Sequence, residues 1–201
     1  MILFFDTETT GKTDFKLPAT HPSQPSIVQL GAQLYDNNLR LCHEINLLVK
    51  PEFKEIEQQA ADIHGIQHSY ASDHGVSLLF ALSCFLELQS KCKTRVAHNL
   101  AFDSMLIEAA CSRLGLKESL PHSGFCTMQA MTPVMRLPGN YGKYKWPKLS
   151  EAYEFCTGQT LEGAHDALAD VRACKEIYKW LNSRETIQRG EATPESTLAL
   201  A

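Results

Sequence analysis

The opening residues constrain the fold most. Met1-Ile2-Leu3-Phe4-Phe5 is continuously apolar and is followed at once by Asp6-Thr7-Glu8. A short run that is apolar at every position, rather than at alternate ones, is expected of a central strand covered on both faces. Period-two geometry turns Asp6 and Glu8 to one face at the end of that strand, with Thr7 opposite. Two carboxylates so placed repel each other unless a proton or cation lies between them. An ordinary acidic strand end and a cation site both satisfy this pattern. A calcium loop does not: Asp6, Glu8, Thr10 and Gly11 imitate the first half of an EF-hand, but the twelfth position is Leu17 rather than Glu. With no basic stretch ahead of it and an acid directly behind, the apolar run reads as a strand and not as a secretory signal.

Two further strand-like runs, Ile27–Tyr35 and Leu39–Val49, flank the turn residues Asp36-Asn37-Asn38 and predict a hairpin. Before them, residues 14–26 hold Pro18, Pro22 and Pro25 and read as a loop. Helices are expected at Glu57–Ile63, at Ser77–Leu88, from Asn99 as cap to about Leu114, at Leu149–Cys156 and at Asp166–Leu181, with a short strand at Thr94–Ala97. Residues 132–149, rich in Pro, Gly and Lys, read as mobile loop. A hairpin followed by alternating helices and strands makes an α/β fold with a mixed central sheet flanked by helices.

Two more acids stand near helix starts. Asp103 falls in the first turn after a strand, where helix-dipole compensation alone would justify it. Asp170 lies one turn into an amphipathic helix, between Leu168 and Val171, and an acid at the border of an apolar stripe needs a partner. His165, after Gly163-Ala164, stands at that helix's entrance. The formal charge of −4 argues against tight duplex binding through phosphates unless bound cations reverse the sign locally. Seven cysteines, an odd number without a CxxC pair, fit the reduced thiols of a cytoplasmic protein. No apolar run approaches the roughly 20 residues that span a bilayer.

Taken together, Phe5-Asp6-Thr7-Glu8-Thr9-Thr10-Gly11, His98-Asn99-Leu100-Ala101-Phe102-Asp103 and His165-Asp166-Ala167-Leu168-Ala169-Asp170 resemble, in order and separation, the three motifs of the DEDDh exonucleases of the ribonuclease-H-like superfamily. The resemblance spans residues 2–181. It implies a ribonuclease-H-like exonuclease domain over 1–183, with 184–201 as a flexible tail. By the same resemblance Asp6, Glu8, Asp103 and Asp170 would hold two Mg²⁺ or Mn²⁺ ions, and His165 would be the general base. Hard oxygen ligands suit such cations, and an ordinary imidazole pKa near ~6.5 suits proton removal near neutral pH. Thr7, Thr9, Thr10, Gly11, Ile66, His98, Asn99 and Phe102 would contact the substrate. Many relatives carry Leu after the glycine; here it is Lys12, which leaves Phe15 or Leu17 as substitutes for the usual wedge. Ile66 serves equally as a core residue.

The implied activity is 3′→5′ hydrolysis of single-stranded or frayed DNA with release of nucleoside 5′-monophosphates. An RNA-trimming exoribonuclease, a polymerase-associated proofreading subunit, a homodimer and a catalytically dead binding module stand as alternatives. All five motif positions are filled, against the last of these. Arg136, Lys143, Lys145 and Lys148 lie within 133–150 with no acid and with Tyr141, Tyr144 and Trp146 interleaved. That composition suits single-strand binding; a solvated loop with a few packed rings is the competing reading.

Overall fold

The computed structural model describes residues 1–117 and 123–188. Its strands are β1 (Ile2–Thr9), β2 (Ile27–Tyr35), β3 (Leu41–Leu48), β4 (Thr94–Ala97) and β5 (Ser123–Cys126). They form one mixed sheet in the order β3-β2-β1-β4-β5. The hairpin β2–β3 and the pair β1–β2 are antiparallel, whereas β4 and β5 run parallel to β1. The apolar opening run thus occupies the middle strand. Leu3 and Phe5 pack on one face with Leu82, Phe85, Leu106 and Ile107, and Phe4 packs on the other with Val171 and Cys174.

The first face is covered by α3 (Leu78–Lys91) and α4 (Leu100–Arg113), the second by α7 (Ala167–Gln188). Shorter helices α1 (Gln58–His64), α2 (His68–His74), α5 (Thr127–Met135) and α6 (Leu149–Thr157) complete the layers. Ser77 caps α3, its hydroxyl accepting from the Phe80 N–H at 3.2 Å. The stripe Leu168, Val171, Cys174 and Ile177 of α7 is buried. All seven cysteines are free thiols, and among the described residues no helix is long and apolar enough to cross a membrane.

The structure departs from expectation in several places. Helix α2 and strand β5 were not expected. Residues 132–135 belong to α5, which carries Pro133 inside it, and the segment after it is an ordered hairpin rather than a mobile loop. The Asn99 side chain does not cap α4: its backbone is left-handed (φ 83°, ψ 53°), and it is the Asn99 carbonyl that receives the Phe102 N–H at 2.8 Å. At the C-terminus α7 continues through Gln188, past the boundary at 183; the remainder of the expected tail lies outside the described residues.

One contact sets the distance between α7 and the sheet. Gly31 of β2 stands opposite Asp6 of β1, and a Cβ at Gly31 would lie 2.7 Å from the Ala167 carbonyl group. Any side chain there drives the start of α7 off the sheet. Gly31→Ala is expected to destabilise the protein by about 1–3 kcal/mol, the usual cost of overpacking. Denaturant unfolding checks this; a variant with wild-type stability would show that the contact is slack.

Candidate active site

The carboxylates meet where β1 outruns its parallel neighbour. β4 pairs only with Ile2–Phe4, so the second half of β1 projects beyond the end of β4. Crevices at the carboxyl ends of parallel strands are where open α/β sheets bind ligands. Asp6 and Glu8 face α7, as the register partners Gly31 and Gln29 do on β2. From α7 comes Asp170, 7% exposed, and from the first turn of α4, on the other side of β1, comes Asp103, 2% exposed. Thr7, on the α4 side, binds Asp103: its N–H and hydroxyl donate to Oδ1 at 3.0 and 2.8 Å. Those two bonds fix the carboxyl group.

α7 is held in register by residues that sequence reasoning missed. Gln29 donates to Asp166 Oδ2 at 2.7 Å and accepts from the Ala167 N–H at 3.1 Å, while Asp166 Oδ1 caps the helix by accepting from the Ala169 N–H at 3.0 Å. An Asp directly before an apolar-periodic helix is a readable cap signal; its partner Gln29, far away in sequence, is not.

Burial and mutual repulsion act on all four acids. Burial, then the charges of Asp103, Asp170 and Glu8, hold Asp6 well above the usual carboxylate range. Burial first and the neighbouring acids second push Glu8 up to about 8. Asp103 rises to about 7, chiefly through burial, with the Thr7 hydrogen bonds opposing. Asp170 rises to about 6, again through burial, eased by the His165 N–H and imidazole. None of the four takes part in an ion pair among the described residues. Four converging acids that resist ionisation, with no Lys or Arg ion pair among the described residues, are a donor set that fits hard divalent cations.

His165 is exposed, with its backbone in the left-handed region (φ 69°). The Asp170 carboxylate holds it there by accepting its N–H at 3.2 Å. One donor atom each from Glu8, His165 and Asp170 lies within 4.8 Å of the others. The imidazole therefore stands at the rim of the carboxylate cluster.

On the other flank a cleft of about 440 Å³ is lined by Glu8, Thr9, Gly11, Lys12, Ile63, His64 and Phe102, among others. Its floor is braced: Thr9 Oγ1 donates to the Gly11 carbonyl at 2.7 Å, the Thr10 N–H to Ser26 at 2.9 Å, and His64 Nε2 meets the Thr9 carbonyl at 3.1 Å. A β-bulge after Glu8 turns this segment away from the ladder. Ile66 does not line the cleft; Ile63 and His64, one helical turn earlier, do. His98 is tied into the framework, Nδ1 to Thr127 Oγ1 at 2.9 Å and Nε2 to the Pro147 carbonyl at 3.0 Å. Beyond His165, a smaller cleft of about 320 Å³ is lined by Lys148, Leu149, Ser150, Leu161, Ala164, His165 and Asp170.

A five-stranded mixed sheet flanked by helices, with acids gathered at the end of its central strand, is the α/β arrangement of the ribonuclease-H-like class. The exonuclease family model RNase_T matches residues 3–178. An exonuclease of Escherichia phage 186, itself uncharacterised, is 31% identical over 183 residues, which are 85% of this chain and 82% of that protein. The chain belongs to this exonuclease family and is a nuclease. Among solved structures, E. coli exonuclease I in complex with a dT13 oligonucleotide superposes with a TM-score of 0.75 at 21% identity, over 94% of this chain and 42% of that one. The zinc-bound form of the E. coli exonuclease I complex with single-stranded DNA gives 0.71 at 22% identity, over 92% and 40%. The chain spans about two-fifths of the length of exonuclease I.

Proposed function

We propose that the protein is a divalent-cation-dependent 3′→5′ exonuclease acting on single-stranded DNA or frayed 3′ ends, releasing nucleoside 5′-monophosphates. The observation that carries the proposal is the convergence of Asp6 and Glu8, half-buried, with Asp103 and Asp170, buried, at the end of β1, with His165 at the rim. The 3′→5′ polarity rests on the motif pattern, and the choice of single-stranded DNA on the likeness to exonuclease I–oligonucleotide complexes.

The four carboxylates would hold two Mg²⁺ or Mn²⁺ ions, and a metal-bound relative supports such a requirement. Bound cations supply positive charge that neutralises the acids and the scissile phosphate and polarises water. The chain's own residues do the rest. The braced Thr9–Gly11 segment and the cleft beside Phe102 and Ile63 receive the terminal nucleotide and exclude solvent from it. His165 accepts the proton of the attacking water. The water oxygen bonds to phosphorus, the 3′ oxygen of the preceding nucleotide leaves and takes up a proton, and the terminal nucleotide departs with its 5′-phosphate.

Polarity is tested with end-blocked strands. A single-stranded oligodeoxynucleotide blocked at its 3′ end is expected to resist digestion in Mg²⁺, while a 5′ block leaves the rate unchanged and mononucleotides are the product from the first turnover. Rapid cutting of closed circular single strands would replace the proposal with an endonuclease, and preference for the matching oligoribonucleotide would move it to RNA.

A further inference from the structure

A hairpin near the smaller cleft has no part in the chemistry above. After α5 the chain turns back on itself: the Lys145 N–H donates to the Leu137 carbonyl at 3.0 Å, Lys143 N–H to Asn140 at 3.1 Å, and Pro138 bridges Tyr144. The two arms are in close contact, since a Cβ at Gly139 would lie 2.5 Å from the Lys143 carbonyl oxygen. At the tip, Tyr141 and Gly142 both adopt positive φ (56° and 71°). This built element presents rings to solvent: Tyr141 is 99% exposed, Trp146 64% and Tyr144 50%. Nothing in folding rewards the exposure of three large rings on one short hairpin.

Its charge is equally one-sided. Residues 133–150 contain no acid in a chain of net −4. Lys145 is engaged by Glu151 at 2.7 Å, whereas Lys143 makes no ion pair among the described residues. The hairpin is also joined to the active site. Its C-terminal arm ends at Pro147, whose carbonyl meets His98 Nε2, and the next three residues, Lys148, Leu149 and Ser150, line the cleft with His165 and Asp170. From Pro147 to Tyr141 the chain reaches at most ~20 Å.

We propose that this hairpin is a stacking platform for the body of the single strand whose 3′ end occupies the active site, with Tyr141 and Trp146 receiving bases and Lys143 a phosphate. Aromatic faces with interspersed cations bind single strands irrespective of sequence, because every base has a π-face. Duplex cannot use the platform, since its bases are already stacked on one another. The inference rests on the exonuclease reading above and adds to it a dependence on strand length: a dinucleotide fills the site alone, whereas a strand of about 12 nucleotides also reaches the rings.

Two readouts test it. The chain has two tryptophans, so Trp180→Phe leaves Trp146 as the sole reporter. In EDTA, to prevent cleavage, oligothymidylate of about 12 nucleotides is expected to quench Trp146 fluorescence saturably and a dinucleotide to leave it unchanged. In Mg²⁺, Tyr141→Ala/Trp146→Ala is expected to raise KM for the long strand by about thirtyfold or more, the lower range for two lost stacking contacts, with kcat/KM for the dinucleotide unaltered. An unquenched Trp146, or a double variant with wild-type KM on long strands, overturns the platform. These outcomes stand apart from failure of the enzymatic proposal, in which the wild-type protein cleaves neither length while the quenching arm still reports on the hairpin.

Discussion

His165→Ala is expected to bind Mn²⁺ nearly as well as the wild type and to cleave about 10²–10⁴-fold more slowly, the usual worth of a positioned acid–base group. The separation of the two effects follows from the geometry. All four carboxylates remain, Asp103 stays pinned by Thr7, and the backbone N–H at position 165 still reaches Asp170 after the substitution. What disappears is an imidazole at the rim of the cluster. Single-turnover kinetics beside calorimetry distinguish the possibilities. If His165→Ala binds metal poorly but cleaves normally once saturated, the imidazole belongs to the cation shell and is not the base.

The second large effect is expected from removing the cations. EDTA should abolish activity, and Asp170→Asn should weaken both cation binding and turnover; full cleavage in chelator ends the proposal. Stability should respond as well, with a definite sign. The folded-state pKa values of Glu8, Asp103 and Asp170, about 8, 7 and 6, lie above the ordinary carboxylate values of 4.5, 3.8 and 3.8. Between roughly pH 4 and pH 8 the metal-free folded protein therefore binds more protons than the unfolded chain, so its stability falls as pH rises through that window. A divalent cation replaces those protons and should flatten the slope. At about 100 times its dissociation constant it adds about 2.7 kcal/mol by linkage, or a melting-point rise of about 5–10 °C for a chain of this size. Thermal melts at several pH values, in EDTA and in Mn²⁺, measure this directly. A metal-free melting temperature that rises from pH 5 to pH 8 would contradict the buried-acid picture.

Much of this site could be read before the fold was seen, because the relevant signals are local. A strand apolar at every position and ending in Asp6 and Glu8 fixes their shared face by its period alone. Asp170 stands out because it interrupts the edge of an apolar stripe. Other features are not local. Helix α2, His-Ser-Tyr-Ala-Ser-Asp-His, buries only Ala71 and has no stripe to detect. Helix α5 was hidden by Pro133, and β5 is only four residues long and contains Gly124. Asn99 has the chemistry of a cap but takes a left-handed backbone between β4 and α4, so its side chain is turned from that task. The choice of Ile63 over Ile66 at the cleft depends on how α1 docks against Thr9, which no spacing reveals.

The contact between Gly31 and Ala167 also bears on motion. Exposed side chains change rotamer within picoseconds to nanoseconds, and a site spaced by such groups would breathe on that timescale. Here the separation between the strand carrying Asp6 and the helix carrying Asp170 is set by main chain lying on main chain. The backbones that carry the acids of β1 and α7 can therefore separate only if a helix lifts from a sheet. The exposed rim, where His165 stands, is not held by that main-chain contact, whereas the backbone spacing of the cluster beneath it is.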